Sequence, residues 1–595
     1  MLRRIFLAFF FLLLLAALEL NKNRLWSFAV FLLLTVLYVI WRETALKGAA
    51  FLPRAGAFLL WLGVFAAVVI MSWPPERRVP AVTAKDPVPT GIVTLEKGQV
   101  RGVYNEDGSV AVYAGIPYAA PPVWTLRWKE PQDPAPWEGV LQADHFAPMS
   151  MQPRHLPIYD SLTRLIGYHD YKIRFGDEWR PPVSEDSLYV NVWQPAGAKA
   201  GDALPVLVFI HGGSLQTGQP WYRDYNGESL AKEGVIVVNM GYRLGVFGYL
   251  ALEELAAESP YGTTGNYGLL DQIKALEWVR DNIAAFGGDP GRVTLAGESA
   301  GAASVSAICA SPLAKGLFQR AVLESSTVVS PEPPHSFRLM DEALEAGEKL
   351  KTKYGAANAA ALRALPEDKL VGSAETEHHM TVDGYALTEL PYETYRAGRM
   401  NETAILQGFN QDESAPFIMF AHANKRNFES RVRKLFREYA DEVLALYPVQ
   451  TGAEARQAWA DIFSVVYFDY PHYCLSRLAG ERGIPAWTYY FTRANGSLSS
   501  WHSGEMIYLY GNVPEDSRLY DARDRALSRE MFSCLLNFVK TGDPNGTDPA
   551  GTALPLWETD PAGLRVLQWG DETAMREIPY RELFAILDKL QGLCS

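Results

Sequence analysis

Apolar positions are distributed very unevenly along the chain. Ile5 to Leu18 is apolar without a break, Leu25 to Trp41 is nearly so, and Ala55 to Trp73 carries no charge. A membrane-spanning helix needs about 20 apolar residues, with a range near 17–25. The second and third runs meet that length. The first, preceded by Arg3 and Arg4, is short enough to serve as the hydrophobic region of a signal peptide. It has no clean small-residue cleavage site before Glu19, and two more apolar runs follow, so three spans are expected over residues 1–73. None of the three runs shows the amphipathic stripe of a helix packed on a soluble core.

From Pro74 to Thr90 the chain holds five prolines and mixed charge, the composition of an extended tether. Beyond it, short apolar runs alternate with helical patterns to the C-terminus. Val206–Ile210 and Val235–Met240 read as strands buried on both faces. Leu269–Phe286 has helical spacing and offers Leu270, Ile273, Leu276, Trp278 and Ile283 to a core. This alternation predicts an α/β fold with a mostly parallel central sheet flanked by helices. The expected division is a membrane region at 1–73, a Pro-rich linker at 74–90 and one large domain at 91–595. No repeat of 20–50 residues and no low-complexity block interrupts it.

Charge follows the same division. Residues 1–90 hold ten Lys/Arg and four Asp/Glu, a net of +6, so the remaining 505 residues carry −19 of the overall −13. An acidic body argues against nucleic-acid binding, which needs a basic face. With three spans, Arg3, Arg4, Arg42, Lys47 and Arg54 share one side, against Lys22, Arg24, Arg77 and Arg78 on the other. Five against four favours the N-terminus inside and the large domain on the periplasmic or extracellular side. Cys309, Cys474, Cys534 and Cys594 are widely spaced and form no C-x-x-C pair, so no metal or thioredoxin-like site is expected.

The candidate chemistry centres on Gly297-Glu298-Ser299-Ala300-Gly301, which follows the apolar run Val293–Ala296. A G-x-S-x-G pentapeptide between a strand and a helix makes a nucleophile elbow, with the serine hydroxyl exposed on a tight turn. Ala300–Cys309 is rich in Ala and Ser, lacks Pro, and suits the helix. A serine nucleophile needs a base, an acid that orients the base, and N–H donors for the oxyanion. In the chain order Ser, acid, His, the histidines beyond residue 421 are His422, His472 and His502. His502 is delivered by the polar loop Thr492–Ser500 after the strand-like run Ala486–Phe491, where α/β sheets place reactive groups. Asp412 and Glu413, following the apolar run Thr403–Gln407, are both candidates for the acid. His211-Gly212-Gly213-Ser214, directly after Val206–Ile210, suits an oxyanion site.

Several longer segments make the chain resemble the type-B carboxylesterase family of the α/β-hydrolase superfamily, which includes cholinesterases and para-nitrobenzyl esterases. They are Gly115-Ile116-Pro117-Tyr118-Ala119 with Pro121-Pro122, Glu185–Val192, Gly265–Leu269 with Asp271-Gln272, Phe286–Pro290, the Ser299 pentapeptide, and Thr541–Asn545. The resemblance covers about residues 91–595. It implies an α/β-hydrolase fold and a serine ester hydrolase needing no cofactor or metal. It implies Glu413 as the acid, His502 as the base, and the N–H groups of Gly213, Ser214 and Ala300 as oxyanion donors. Ser325 and Glu298 are implied as neighbours that support the triad, and small to medium esters as substrates. Three departures stand out: Ser214 for a glycine, Leu215 for an aromatic residue, and Ser150 with Ser187 where the family has a disulfide. Segment 145–182 is atypical, and the apolar N-terminus is additional to the family pattern. A catalytically silent membrane-displayed scaffold and an interfacial lipase or polyesterase are the alternative readings.

Overall fold

The computed structural model describes residues 2–73, 79–83, 86–153, 182–371, 379–418, 423–496, 499–515 and 517–593. The chain divides into two units, residues 1–80 with 154–182, and residues 81–153 with 183–595.

The first unit contains three helices, α1 (Leu2–Leu20), α2 (Trp26–Glu43) and α3 (Phe51–Met71). Aromatic side chains hold them together: the Trp61 ring lies 5.2 Å from Tyr38, 5.6 Å from Phe31 and 6.2 Å from Phe10. Polar groups bond within the bundle, Trp61 Nε1 donating to Thr35 Oγ1 at 3.2 Å and Asn23 Nδ2 to Ser72 Oγ at 2.7 Å. Large apolar residues such as Leu33, Leu37, Leu59 and Leu60 remain exposed on α2 and α3. Both of those helices are long and apolar enough to cross a membrane.

The second unit is built on one sheet. Its strands are β1 (Pro89–Thr94), β2 (Gln99–Tyr104), β3 (Val110–Pro117), β4 (Val140–Gln142), β5 (Tyr189–Pro195), β6 (Leu204–Ile210), β7 (Ile236–Met240), β8 (Gly288–Glu298), β9 (Arg320–Glu324), β10 (Ile405–Asn410), β11 (Ala486–Phe491), β12 (Arg565–Trp569) and β13 (Thr573–Glu577). Among the described residues they pair in the order β1-β2-β3-β5-β7-β6-β8-β9-β10-β11-β12-β13, with β4 beside β2. From β7 to β12 every neighbouring pair is parallel; the antiparallel pairs lie toward the two edges. This is the α/β-hydrolase fold, with α4 (Tyr267–Asn282), α5 (Ala300–Ala310), α6 (Gly452–Ser464), α7 (Tyr470–Glu481) and α8 (Ala522–Thr541) among its helices.

Strand β6 explains why its sequence is continuously apolar. Val206, Val208 and Ile210 pack into one core with Leu269, Ile273 and Leu276 of α4. Leu207 and Phe209 point to the opposite core, shared with Leu535 and Phe538 of α8. Helices cover both faces, so neither set of alternating side chains meets water.

The Pro-rich segment meets the second unit before Thr90. Ala81 forms a bridge with His145, and Val82 N–H donates to Asp144 O at 2.9 Å. Most of the atypical segment 145–182 lies outside the described residues, as do His422 and Cys594. Cys309, Cys474 and Cys534 are free and buried.

Candidate active site

The parallel strands point their C-terminal ends at one edge, and the residues singled out in the sequence come from the connections there. β8 stops at Glu298, α5 begins at Ala300, and Ser299 makes the turn between them at φ 55°, ψ −129°. Such a backbone is rare for a non-glycine residue and marks a constrained turn. It is held by Ser299 N–H donating to Glu324 O at 2.8 Å. The elbow tolerates no bulk behind it: a Cβ on Gly301 would lie 2.1 Å from Ile210 O.

His502 completes the contact. Its Nε2 lies 2.8 Å from Ser299 Oγ, and its Nδ1 lies 2.5 Å from Glu413 Oε2. With Nδ1 protonated toward the carboxylate, Nε2 is free to accept the serine proton. The other Glu413 oxygen accepts from the Asn410 N–H at 2.7 Å, at the end of β10. The rings of Phe468 and Phe417 lie 4.8 and 5.0 Å from the imidazole and shield it from water on that side.

Asp412 and His472 are placed elsewhere. Asp412 pairs its backbone with Ser500 and Trp501, and its carboxylate accepts from Ser414 Oγ at 3.4 Å. His472 sits on α7 with Nδ1 2.7 Å from Gln407 Oε1, and burial pushes its pKa down to about 3. It is a core histidine.

The turn after β6 runs against Ser299. A Cβ on Gly212 would lie 2.9 Å from Ser299 Cβ, so glycine alone permits this approach. Gly213, Ser214 and Leu215 follow at φ 104°, 57° and 59°. The N–H groups of Gly213 and Ser214 have no acceptor among the described residues. Leu215 is fully buried. Ser150 and Ser187 form hydrogen bonds in place of a disulfide, the first to Tyr242 O at 2.6 Å, the second to Glu185 O at 3.5 Å.

Around Ser299, His502 and Glu413 lies a group of buried carboxyls. Glu298 Oε1 is 3.4 Å from His502 Nε2 and accepts from Ser503 Oγ at 2.5 Å. Ser325 Oγ donates to Glu505 Oε1 at 3.0 Å, and Asn410 Nδ2 donates to Glu505 Oε2. Tyr510 OH donates to Glu324 Oε1 at 2.7 Å. Burial pushes Glu298 and Glu505 up to about 7 each. Burial also raises Glu413, while the Asn410 N–H and the Ser325 hydroxyl pull it back. Asn410, Ser503 and Phe468 join this group with no signal in the sequence beyond, for Asn410 and Ser503, nearness to Glu413 and His502.

These shifts have a consequence for stability. The unfolded chain releases the Glu298 proton near 4.5, the folded protein only near 7. The folded state therefore binds more protons between those values, and its stability falls as pH rises through them. Glu298→Gln removes this group's share. Its stability relative to wild type, followed as Tm from pH 4.5 to 8, is expected to climb with pH; a constant difference would show that Glu298 is not held protonated.

Comparison with known proteins gives the family. A model of the carboxylesterase family matches residues 89–582. The chain belongs to the carboxylesterase family. Fumonisin B1 esterase of Sphingopyxis macrogoltabida is 31% identical over 530 residues, spanning 85% of this chain and 92% of the relative. Carboxylesterase 5A of Felis catus is 31% identical over 537 residues, spanning 84% and 92%. Cholinesterase of Mus musculus is 33% identical over 513 residues, spanning 78% and 81%. This carboxylesterase is accordingly a carboxylic ester hydrolase.

Proposed function

We propose that this carboxylesterase cleaves small to medium esters through Ser299, His502 and Glu413, by way of an acyl-enzyme. The observation that carries the reading is the unbroken chain from Glu413 Oε2 through His502 to Ser299 Oγ, at 2.5 and 2.8 Å. His502 takes the proton from Ser299 as its oxygen attacks the ester carbonyl. Glu413 holds the imidazole in the required tautomer and balances its charge. The N–H groups of Gly213, Ser214 and Ala300 receive the oxyanion, each such donor contributing roughly 2.7–4 kcal/mol to the barrier reduction. His502 then protonates the leaving alcohol, and water repeats the cycle on the acyl-enzyme. Ser325 and Glu298 support the triad from either side, through the Glu505 bond and the contact with His502.

A fluorophosphonate probe tests this directly. It should label the peptide containing Ser299 and stop hydrolysis of p-nitrophenyl butyrate at one equivalent. Folded protein that neither labels nor turns over would favour the silent-scaffold reading.

We further infer that α1, α2 and α3 hold the enzyme at a membrane, with the N-terminus inside and the catalytic unit on the periplasmic or extracellular side. The exposed apolar surface of α2 and α3 supports this. The full chain should stay with the membrane fraction through a carbonate wash; release into the supernatant would overturn the anchor.

A further inference from the structure

The turn that carries the oxyanion donors is held in a strained shape, and part of its restraint comes from a side chain remote in sequence. Ser214 and Leu215 both sit at positive φ, 57° and 59°. For side chains of this kind the left-handed region is unfavourable, so the surrounding structure must impose it. Within the turn, the N–H groups of Gln216 and Thr217 both donate to Gly213 O at 2.9 Å. Those bonds close the turn but fix nothing outside it.

From outside, the Gly245 N–H donates to Leu215 O at 2.7 Å, and Gln152 adds a side-chain restraint. Its side-chain amide pairs with the peptide groups of Gly218 in both directions, Nε2 donating to Gly218 O at 2.8 Å and Oε1 accepting from Gly218 N–H at 3.0 Å. Nε2 also donates to Ser150 O at 3.0 Å, and the side chain is buried. The amide thus does for Gly218 what a neighbouring strand would do. Gly218, at φ 115°, lies directly on the start of the turn: a Cβ there would sit 2.4 Å from His211 Nδ1 and 2.6 Å from Gly212 O.

The same short segment grips the turn a second time. Ser150 Oγ donates to Tyr242 O at 2.6 Å, Tyr242 OH donates to His211 O at 2.8 Å, and the Tyr242 and His211 rings stack at 4.5 Å. Residues 150 and 152 therefore reach both ends of the 211–218 turn. Of the two grips, the Gln152 amide binds the turn directly, whereas Ser150 reaches it through Tyr242.

We infer that Gln152 is a positioning residue for ester hydrolysis: by clamping Gly218 it holds the N–H groups of Gly213 and Ser214 where the oxyanion forms. The inference rests on the triad and oxyanion reading above. Gln152 touches no reacting atom, and its effect passes through the turn. Loss of the clamp lets Ser214 and Leu215 relax from positive φ and carries the donors off target.

The test uses the full chain with Gln152→Met, which keeps length and removes both hydrogen-bonding groups, and Gln152→Glu, which keeps the acceptor and loses the donors. Rates are expressed per site titrated by fluorophosphonate, so unfolded protein does not count. For p-nitrophenyl butyrate, kcat is expected to fall about 10- to 100-fold in both variants, as for catalytic groups displaced by an ångström or less, with KM nearly unchanged. A trifluoromethyl ketone, whose serine hemiketal carries the oxyanion, should bind more weakly by the same factor. The acid limb of the pH–rate profile, set by the base, should not move. Unchanged ketone affinity, or a displaced acid limb, would overturn the inference while leaving the triad standing. A wild-type enzyme that neither titrates nor binds the ketone would remove the triad reading and this inference with it.

Discussion

Ser299→Ala is expected to lower kcat for p-nitrophenyl butyrate by about 10⁵–10⁶-fold, the loss seen when a serine nucleophile is removed from a triad that works as a unit. The reason is geometric. Ser299 Oγ is the atom placed 2.8 Å from the base, on a backbone turn bent to φ 55° to present it. Alanine fits the same turn, so folding should survive and only chemistry should be lost. Adding His502→Ala should cost little more, because a base without a nucleophile has no proton to take. Retained turnover in the single variant, or further large losses in the double, would show that another group performs the attack.

Arg243→Leu is expected to reduce the unfolding free energy by about 3–5 kcal/mol, the usual cost of breaking a buried ion pair from one side. Arg243 Nε and Nη2 each bond Asp271 at 2.8 Å, its own N–H bonds the same carboxylate at 3.1 Å, and Nη1 reaches Lys129 O at 2.8 Å. The side chains are 3% and 0% exposed, so water cannot replace a lost partner. Burial drives the Asp271 pKa up, and Arg243 opposes it; removing the guanidinium leaves a carboxyl that must be buried charged or pick up a proton. Urea unfolding followed by tryptophan fluorescence gives the measurement. Arg243→Leu with Asp271→Leu should recover much of the loss, since neither charge is then stranded. A single-variant loss below about 1 kcal/mol would mean that the pair behaves as an exposed one.

The carboxyl group around the triad gives the site a charge problem with a local solution. Glu298, Glu324, Glu413 and Glu505 are all buried. Ionising all four together in a low-dielectric interior would be prohibitive. Burial raises all four, Glu298 and Glu505 to about 7 and Glu413 to about 8, so they do not all ionise together at neutral pH.

Much of the fold and part of the site are legible in the chain itself. The continuous apolar character of Val206–Ile210 announces a strand covered on both faces, and the G-x-S-x-G pentapeptide between a strand and a helix announces the elbow. Both depend on neighbours in sequence, where sterics and periodicity act directly. The turn at Gly212-Gly213-Ser214 is visible for the same reason, as a Gly-Gly pair closing a strand. The apolar runs of residues 1–73 likewise announce helices, and among the described residues α2 and α3 reach spanning length and composition.

Choosing between Asp412 and Glu413 is beyond residue chemistry alone; the resemblance points to Glu413, and the fold shows which of the two side chains faces His502. The backbone of Asp412 is bound to Ser500 and Trp501, which leaves the next side chain turned inward onto the Asn410 N–H and His502. His472 and His502 differ in the same way: one is held by Gln407 inside a core, the other is carried past the end of β11 to a serine 203 residues away. The restraint of the 211–218 turn by Gln152 spans 66 residues and leaves no pattern in the chain. Sequence alone determined the strands, the helices, the apolar front end and the serine elbow, since local periodicity and backbone sterics act over a few residues. Only the tertiary structure decided which acid and which histidine meet the serine and what holds the oxyanion turn, because those pairings depend on the order in which distant strands join one sheet.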